Sequence, residues 1–439
     1  MPLTNLQSNV VKTDSELAEK AMIRKAVIAG SIGNVMEWYD WSIYGFYAAI
    51  ISKQFFPSKD PLASLLLTFA VFAVGFIMRP LGSLFFGPYG DRVGRRKALA
   101  ASVIMMAIGT VLIGIVPSYE QIGVAAPILL VVARLIQGFS AGGEWGGSTS
   151  FLVEYAPKTK RGLYGSWQQV STGAGLFAGS LVSTIFSFSM SHETLNSWGW
   201  RIPFLLGIVL GFVGLYLRMK VDDTPMFKEA EGSHEIVKTP LKEMFAKHPK
   251  QILKSIGFTM HWTVSYYIFL AYLPTYINKV LHLSFSFALA ANLIVLTFFM
   301  LIVPFMGHLS DRFGRKPLLI CSCLGFILFS YPVFFLIGKG GFLFVLLPQF
   351  IFAIFEAMYS GTGPAALAEL FPTRVRNSAL SVGYNLGVAL FGGTAPFIAT
   401  YLISVTHNNF SPTYYVIGCA IVTFLVLLTL KETNKDDLY

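Results

Sequence analysis

Residues 87–99 read GPYGDRVGRRKAL, and residues 307–319 read GHLSDRFGRKPLL. Six of the thirteen positions are identical at an offset of 220 residues. A second match follows in the same order, because EYAPKTKR at 154–161 shares its glutamate, its proline and its last arginine with ELFPTRVR at 369–376. Two matches in one order indicate an internal duplication. We therefore predict a chain built from two related halves.

Long apolar stretches separate these polar motifs. Hydrophobic residues make up 54% of the 439 positions, and Asp, Glu, Lys and Arg together only 13%, about half the charged share of soluble domains. A stretch of about 20 apolar residues crosses a bilayer as a helix, which satisfies its own backbone hydrogen bonds in hydrocarbon. We predict an all-α integral membrane protein with twelve spans, at 26–51, 62–86, 98–116, 126–155, 163–188, 201–219, 251–278, 285–307, 317–337, 342–369, 380–404 and 412–430.

The repeated motifs divide the twelve spans into two halves of six helices. The predicted order is an N-terminal segment at 1–25, a six-helix bundle at 26–219, a charged central loop at 220–250, a second bundle at 251–430 and a tail at 431–439. Two parallel six-helix repeats are a known transporter architecture, with a substrate site near the bilayer midplane between the halves. Alternating access then follows from one half rocking against the other.

The net charge of +10 reflects membrane topology. Of the 33 Lys and Arg, 26 lie in or next to the segments on one side of the predicted spans and five lie on the other side. Arg79 and Arg134 lie within spans. By the positive-inside rule both termini are cytoplasmic. We predict a multi-pass protein of the bacterial inner membrane whose basic loops face lipid, with no nucleic-acid partner.

The motif GPYGDRVGRRK resembles the signature that follows the second helix in the major facilitator superfamily, and GHLSDRFGRK resembles its repeat after the eighth. An aspartate in such a loop can accept hydrogen bonds from a helix N-terminus or pair with arginine. We expect a latch that holds one conformation closed and releases in the other. Its predicted residues are Asp91, Arg92, Arg95, Glu154, Arg161, Asp311, Arg312, Arg315, Glu369 and Arg376.

Four further stretches carry a narrower resemblance, to the metabolite:proton symporter family of that superfamily. They are GNVMEWYDWSIYGF at 33–46, GFIMRPLGSLFFG at 75–87, RLIQGFSAGGEWGG at 134–147 and WGWRIPF at 198–204. The family includes bacterial proline/betaine, citrate, shikimate and alpha-ketoglutarate transporters. The resemblance implies proton symport without naming the substrate, because these motifs occur in members with different substrates.

Ionisable side chains at membrane depth are costly and are candidates for function. Glu37 and Asp40 lie in the first span, and Glu356 lies in the tenth. At about 100° per residue, Asn34, Glu37, Trp38, Trp41 and Tyr44 share one stripe of the first helix. A carboxyl group withdrawn from water favours its protonated form, which suits proton coupling. The alternative is that one acid pairs permanently with an arginine and only joins helices.

The fourth span supplies the opposite charge. Arg134 belongs to an RxxQG element that in the superfamily lines the cavity, and Glu144 lies on the same helix. A guanidinium can bind a carboxylate through two parallel hydrogen bonds. The predicted proton-coupling residues are Glu37, Asp40, Arg134 and Glu144. The predicted substrate-binding residues are Trp38, Trp41, Tyr44, Arg79, Arg134, Gln137, Trp145, Gln168, Gln169, His261, Tyr384 and Asn385.

These patterns favour a secondary transporter that imports a small carboxylate-bearing metabolite with protons. The alternative is uptake of a zwitterionic compatible solute such as proline or glycine betaine, because aromatic faces bind quaternary ammonium. Efflux and a non-transporting membrane receptor are weaker alternatives. The sequence has no nucleotide loop or metal spacing and no hydrolase motif, so we expect no enzyme activity, cofactor or metal. We expect a monomer, because one chain supplies both halves of the site.

Overall fold

The computed structural model describes residues 31–93, 95–154, 156–219, 245–371 and 373–436. The first half contains α1 over residues 31–55, α2 over Pro61–Val93, α3 over Arg95–Ile115, α4 as Ala125–Ala141 continued by Glu144–Glu154, α5 over Arg161–Ser189, and α6 as Ile202–Leu205 continued by Gly207–Met219. The order and spacing of these helices match the six predicted spans. The predicted N-terminal segment at 1–25 and residues 220–244 of the central loop lie outside the described part of the chain.

The second half repeats this order. It contains α7 as Pro249–Tyr266, a π-helix at Tyr267–Tyr272 and Leu273–Lys279, α8 over Phe285–Phe313, α9 over Arg315–Gly338, α10 over Phe342–Glu369, α11 as Thr373–Gly387, a π-helix at Val388–Gly392 and Ala395–Thr406, and α12 over Ser411–Leu428. The described residues thus form twelve helical passages, as the sequence predicts. The boundaries of the two bundles as separate domains stay a prediction.

Nine of the described helices are long and apolar enough to cross a membrane by length and composition. The apolar part of α3 is shorter, at Ala100–Ile115. Several helices also extend past their predicted spans into the polar motifs: α2 continues to Val93 and α8 to Phe313. Hydrophobicity cannot locate these ends, because the backbone hydrogen-bond ladder continues after the apolar residues stop.

The helices that carry the predicted site are irregular near the middle of the molecule. The segment Ala125–Ala141 of α4 ends before Gly142 and Gly143, and α7 and α11 each contain a π-helix. Single-turn π segments inside α-helices occur frequently at functional sites. Such breaks are tolerated at membrane depth where the backbone is buried in protein or lines a cavity.

Within the first half, α2 and α4 cross at very short range. A Cβ atom built on Gly138 would lie 1.6 Å from the carbonyl oxygen of Gly75, so glycine is required on α4 at this crossing. Small residues let transmembrane helices approach closely and pack through their backbones. This contact brings Arg79 on α2 and Arg134 on α4 into one region of the first half.

The two halves meet mainly through α5 with α8 and through α2 with α11. The glycines Gly162 on α5 and Gly307 on α8 face each other, since a Cβ on Gly162 would lie 2.4 Å from Gly307 O. At the other end of the bundle, Thr275 on α7 donates a hydrogen bond to Gly45 O on α1 over 3.1 Å. Contacts therefore join the halves at both ends of the bundle. We call the end that carries the repeated loops the motif end.

A candidate substrate and proton site between the halves

A buried arginine joins the two halves near the centre of the molecule. Arg79 on α2 pairs through Nη2 with Glu37 Oε1 on α1 at 2.6 Å, and both side chains are fully buried. Arg79 Nε also donates to Asn385 Oδ1 on α11 over 3.1 Å. Asn385 in turn donates to Ser83 Oγ at 2.9 Å and to Gly142 O at 2.8 Å. One guanidinium thus binds an acid of its own half and an amide of the other half.

A second buried arginine is held by aromatic rings of the first half. The guanidinium carbon of Arg134 lies 3.9 Å from the ring centre of Trp41, 4.4 Å from that of Tyr44 and 5.0 Å from that of Phe72. Aromatic faces attract cations most strongly where water is excluded. In this structure Trp41 and Tyr44, which the sequence predicts to bind substrate, hold the protein's own cation.

Asp40 is linked to Arg134 by a relay of side chains. Thr110 on α3 donates a hydrogen bond to Asp40 Oδ2. Gln137 Nε2 donates to Thr110 Oγ1 over 2.8 Å, and Arg134 Nη1 donates to Gln137 Oε1 over 2.7 Å. Asp40 and Glu37 are one helical turn apart but have different partners: a hydroxyl group contacts Asp40, whereas an arginine contacts Glu37.

Six aromatic side chains from both halves meet beside Arg79, and we call them the central aromatic cluster: Trp38, Trp145, Trp262, Tyr266, Tyr267 and Tyr384. Trp145 stacks on Tyr384 with ring centres 3.6 Å apart and planes inclined by 6°. Trp38 lies 5.2 Å from Tyr266 and 5.5 Å from Tyr267. Because Trp38 and Trp145 belong to the first half and the others to the second, rocking the halves apart would uncover these ring faces.

Four other predicted residues of the site are buried on α4, α5 and α7. Glu144 is buried where α4 resumes after its break, and Gln168 and Gln169 are buried on α5. Gln168 O accepts a hydrogen bond from Asn34 on α1 at 3.1 Å. The ring of His261 packs against Phe326 and Tyr359 inside the second half, with ring centres at 4.7 Å and 5.6 Å. The structure does not bring His261 to Arg79.

Several residues of this region were not singled out from the sequence. They are hydroxyl and aromatic side chains in apolar helices, whose types alone give little signal: Phe72, Phe76, Ser83, Thr110, Tyr266, Tyr267, Ser265 and Ser360. Thr110 could have been found only by knowing that α3 faces α1. A hydroxyl in a membrane helix otherwise usually bonds to its own backbone, as Thr110 also does with Met106 O at 3.0 Å.

Crossed ion pairs connect the halves at the motif end. Arg376 at the start of α11 binds Glu154 Oε1 at the end of α4 over 3.1 Å. In the equivalent pair with the halves exchanged, Arg161 at the start of α5 lies 3.9 Å from Glu369 Oε1 at the end of α10. Each half thus supplies one arginine and one glutamate, as the duplicated motifs would place them.

Asp311 fixes the start of α5 from the opposite half. Its carboxylate accepts from Gly162 N at 2.7 Å and from Leu163 N at 2.9 Å, which are unpaired donors of a helix N-terminus. Arg315 binds Asp311 at 2.7 Å and Glu369 at 3.1 Å. We call Glu154, Arg161, Asp311, Arg315, Glu369 and Arg376 the motif-end network.

Not every predicted latch residue belongs to this network. Arg312 is exposed, and its guanidinium lies over the ring of Phe313 at 5.4 Å. The side chains of Asp91, Arg92 and Arg95 lie outside the described part of the structure. Residues from the tail do take part, because Thr433 Oγ1 donates to Glu369 Oε2 over 2.6 Å and Arg161 donates to Asp436 O over 2.8 Å.

Comparisons with known proteins agree with this architecture. The family described as sugar (and other) transporter matches residues 26–439. The proline/betaine transporter of Salmonella typhimurium is 37% identical over 434 residues, which cover 97% of this chain and 87% of that protein. The glycine betaine/proline/ectoine/pipecolic acid transporter OusA of Dickeya dadantii is also 37% identical, over 97% of this chain and 86% of that protein.

Solved structures show the same fold at lower identity. The xylose transporter XylE from E. coli, in a partially occluded inward open conformation, superposes with a TM-score of 0.78 at 20% identity, over 95% of this chain and 100% of that chain. The family match and the curated relatives describe transporters and not enzymes. This chain therefore belongs to the sugar (and other) transporter family, and it shares its fold with a solved structure of the major facilitator superfamily.

Proposed function

We propose that this protein imports a zwitterionic compatible solute of the proline or glycine betaine type together with protons. The observation that carries the proposal is Arg79, which joins the halves through Glu37 and Asn385 beside the central aromatic cluster. A carboxylate can bind the guanidinium, and an ammonium group can bind aromatic faces. The names of the two curated relatives support this choice over other carboxylate-bearing metabolites.

The pairing of Glu37 with Arg79 offers a way to couple substrate and proton. A substrate carboxylate that binds Arg79 takes the place of Glu37. The ionised Glu37 then has no arginine to neutralise it in a buried environment, which costs free energy. Protonation of Glu37 removes this cost, because the neutral carboxyl group is favoured where the dielectric is low. Substrate binding and proton binding therefore favour each other at this residue.

Asp40 is the better candidate for a proton carrier that is loaded before substrate arrives. No basic side chain of the described residues forms an ion pair with it, and a threonine hydroxyl and a glutamine connect it to Arg134. Arg134 remains near enough to stabilise the ionised form when the proton leaves. We assign proton transfer to Asp40. We assign to Glu37 the ion pair with Arg79 that a substrate carboxylate displaces.

Alternating access would use the motif-end network as its closed state. The network joins the halves through ion pairs and through Asp311 at the N-terminus of α5. Opening this end requires breaking these contacts, and substrate binding at the centre must offset their loss. We place the motif end at the cytoplasm, as the charge distribution predicts, and the protein in the bacterial inner membrane.

The test is uptake into proteoliposomes under an imposed inward proton gradient. The labelled panel contains proline, glycine betaine, alpha-ketoglutarate, citrate and shikimate, and a protonophore serves as the control for coupling. We expect accumulation of proline or glycine betaine that the protonophore abolishes. We expect Arg79→Lys to lose most of this uptake, because an ammonium cannot reproduce the two-sided contacts of a guanidinium.

Other outcomes would redirect the assignment. Gradient-driven accumulation of citrate, shikimate or alpha-ketoglutarate alone would replace the compatible solute with an organic acid at the same arginine. Entry of proline or betaine at a rate that the gradient leaves unchanged would contradict proton symport. Accumulation only under an outward gradient would indicate proton-driven efflux in the reconstituted orientation.

A further inference from the structure

A further buried acid lies in the second half, and none of the roles assigned above uses it. Glu356 on α10 is 1% exposed. Its Oε2 lies 2.6 Å from Ser265 Oγ on α7, and its Oε1 lies 3.1 Å from Ser360 Oγ one turn further along α10. No Lys, Arg or His of the described residues forms an ion pair with it. A permanently ionised carboxylate would be costly in such surroundings.

The hydroxyl groups around Glu356 can accommodate either of its protonation states. Ser265 Oγ lies 2.6 Å from Glu356 Oε2, 2.8 Å from His261 O and 3.1 Å from Trp262 O, yet a hydroxyl carries a single proton. If Ser265 donates to His261 O, its lone pair can accept the proton of neutral Glu356. If Glu356 is ionised, Ser265 can turn its hydroxyl to donate to Oε2.

The same hydrogen-bond chain continues to the central aromatic cluster. Trp262 Nε1 donates to Ser360 Oγ over 2.8 Å, and the hydroxyl of Ser360 is then free to donate to Glu356 Oε1. The ring of Trp262 lies 6.0 Å from Trp145 and 5.8 Å from Tyr384. A change at Glu356 therefore reaches, through Ser360, a tryptophan at the interface between the halves.

The described groups that surround Glu356 carry no positive charge to balance an ionised carboxylate. A cavity beside the carboxyl group offers a route for its proton. The titratable side chains that face it are neutral near pH 7, and they come from α7, α9, α10 and α11: Tyr266, Cys323, Tyr359 and Tyr384. On α8, the uncharged Val295 lines a cavity that Glu356 also lines. A small cavity borders Glu356 between α7, α8 and α10, beside Gln349 and Phe352. A water molecule in this cavity would be placed to accept the proton of Glu356.

We propose that Glu356, with Ser265 and Ser360, is a second proton-exchange site in the second half, separate from Glu37 and Asp40. In each cycle Glu356 Oε2 binds one proton and releases it through the adjoining cavity, while the Ser265 hydroxyl turns between His261 O and Glu356. The inference rests on the proposed proton symport. It adds that the protein moves one more proton per substrate than the first half alone would carry.

The first test measures the ratio of protons to substrate. The reversal potential of uptake is recorded in proteoliposomes at several fixed pH gradients, for the parent, Glu356→Gln and Glu120→Gln. Glu120 is an exposed acid between α3 and α4 and serves as the matched control. We expect Glu356→Gln to transport one proton fewer per substrate and Glu120→Gln to match the parent. Equal ratios for the parent and Glu356→Gln would overturn the proposal.

These measurements separate the two proposals. If a pH gradient drives uptake by the parent but Glu356→Gln leaves the ratio unchanged, only the second site fails. If no gradient drives uptake by the parent, proton symport itself fails. Exchange of labelled for unlabelled substrate shows whether Glu356→Gln is folded, because exchange needs no net proton movement.

A second readout detects the proton without transport. Infrared difference spectra of the purified protein between acidic and alkaline buffer should contain a protonated carboxyl band that Glu356→Gln lacks. If that variant does not fold, Ser265→Ala keeps the acid and removes a donor to its ionised form, so one band should persist to a more alkaline pH. Spectra of the parent and these variants that coincide would contradict proton exchange at Glu356.

Discussion

At the scale of single residues, the partners of an acid decide what it can do. Glu37 and Asp40 lie one turn apart on α1, and both are buried. Glu37 binds Arg79 directly at 2.6 Å, so its ionised form is neutralised until another carboxylate arrives. Asp40 receives a hydroxyl hydrogen bond from Thr110 and has no ion pair within the described residues. The two acids therefore respond differently to substitution.

Replacing Asp40 by asparagine should uncouple transport from the proton gradient. The amide keeps the size of the side chain and can still bond to Thr110, but it cannot exchange a proton. We expect Asp40→Asn to exchange labelled for unlabelled solute while its gradient-driven accumulation is lost. Asp60→Asn, at an exposed loop position, is the control. Accumulation by Asp40→Asn equal to that of the parent would contradict the assignment.

Replacing Glu37 by glutamine should change how affinity depends on pH. In the parent, a bound substrate carboxylate requires Glu37 to be protonated, so affinity falls by about tenfold per pH unit on the alkaline side of its titration. Glutamine mimics the protonated form at every pH. We expect Glu37→Gln to bind solute with an affinity that is nearly independent of pH, measured by calorimetry on the purified protein. Parallel pH profiles for the two proteins would show that Glu37 does not compete with substrate.

At the scale of elements, glycines set how closely helices approach across the interface between halves. Gly162 lies in the first turn of α5 against Gly307 on α8, and its backbone N–H donates to Asp311. A methyl group on Gly162 would overlap Gly307 O, Ser310 Oγ and Arg315 Nη1, all within 2.6 Å. Overlap with a backbone oxygen cannot be relieved by a side-chain rotation, so the helices must separate.

Gly162→Ala should therefore open the motif end. We expect a longer distance between spin labels attached through Thr159→Cys and Arg312→Cys, both at exposed positions, in a background without the native cysteines. Pulsed electron resonance measures this distance distribution. Gly418→Ala on α12 is the matched control, because a Cβ there meets nothing within 4 Å. An unchanged distribution in Gly162→Ala would show that α5 and α8 tolerate the methyl group without separating.

At the scale of the whole molecule, the duplicated motifs produce a closed end that neither half can form alone. The pairs Glu154–Arg376 and Arg161–Glu369 each join residues from different halves. The C-terminal tail adds contacts to the second pair, because Thr433 binds Glu369 and the backbone of Asp436 binds Arg161. Breaking one pair should weaken the closed state without unfolding either bundle, because each bundle keeps its own packing.

A double-mutant cycle tests this coupling between halves. Glu154→Gln and Arg376→Gln should each shift the spin-label distribution toward the open form, and the double variant should shift it by less than the sum. We expect a coupling of about 1 kcal/mol, the range for contacting charged residues that are not fully buried. Additive shifts would mean that the 3.1 Å contact contributes nothing to closure.

The sequence by itself determined the twelve spans and the positions of the buried charges, and it predicted a division into two halves. These are local properties: hydrophobic length sets a span, and a repeated motif marks equivalent loops. It also placed Glu154, Arg161, Glu369 and Arg376 in duplicated motifs and predicted them as residues of a latch. Proton-coupling and substrate-binding roles remain predictions for the residues named.

Only the tertiary structure decided which charge meets which partner. Arg79 binds Glu37 and Asn385, and Arg134 lies among Trp41, Tyr44 and Phe72, although either arginine could have paired with either acid of α1. The choice depends on how α2, α3 and α4 cross α1, which side-chain periodicity cannot give. Crossings are fixed by glycine contacts and shape across hundreds of residues, and so the site is a property of packing and not of any one helix.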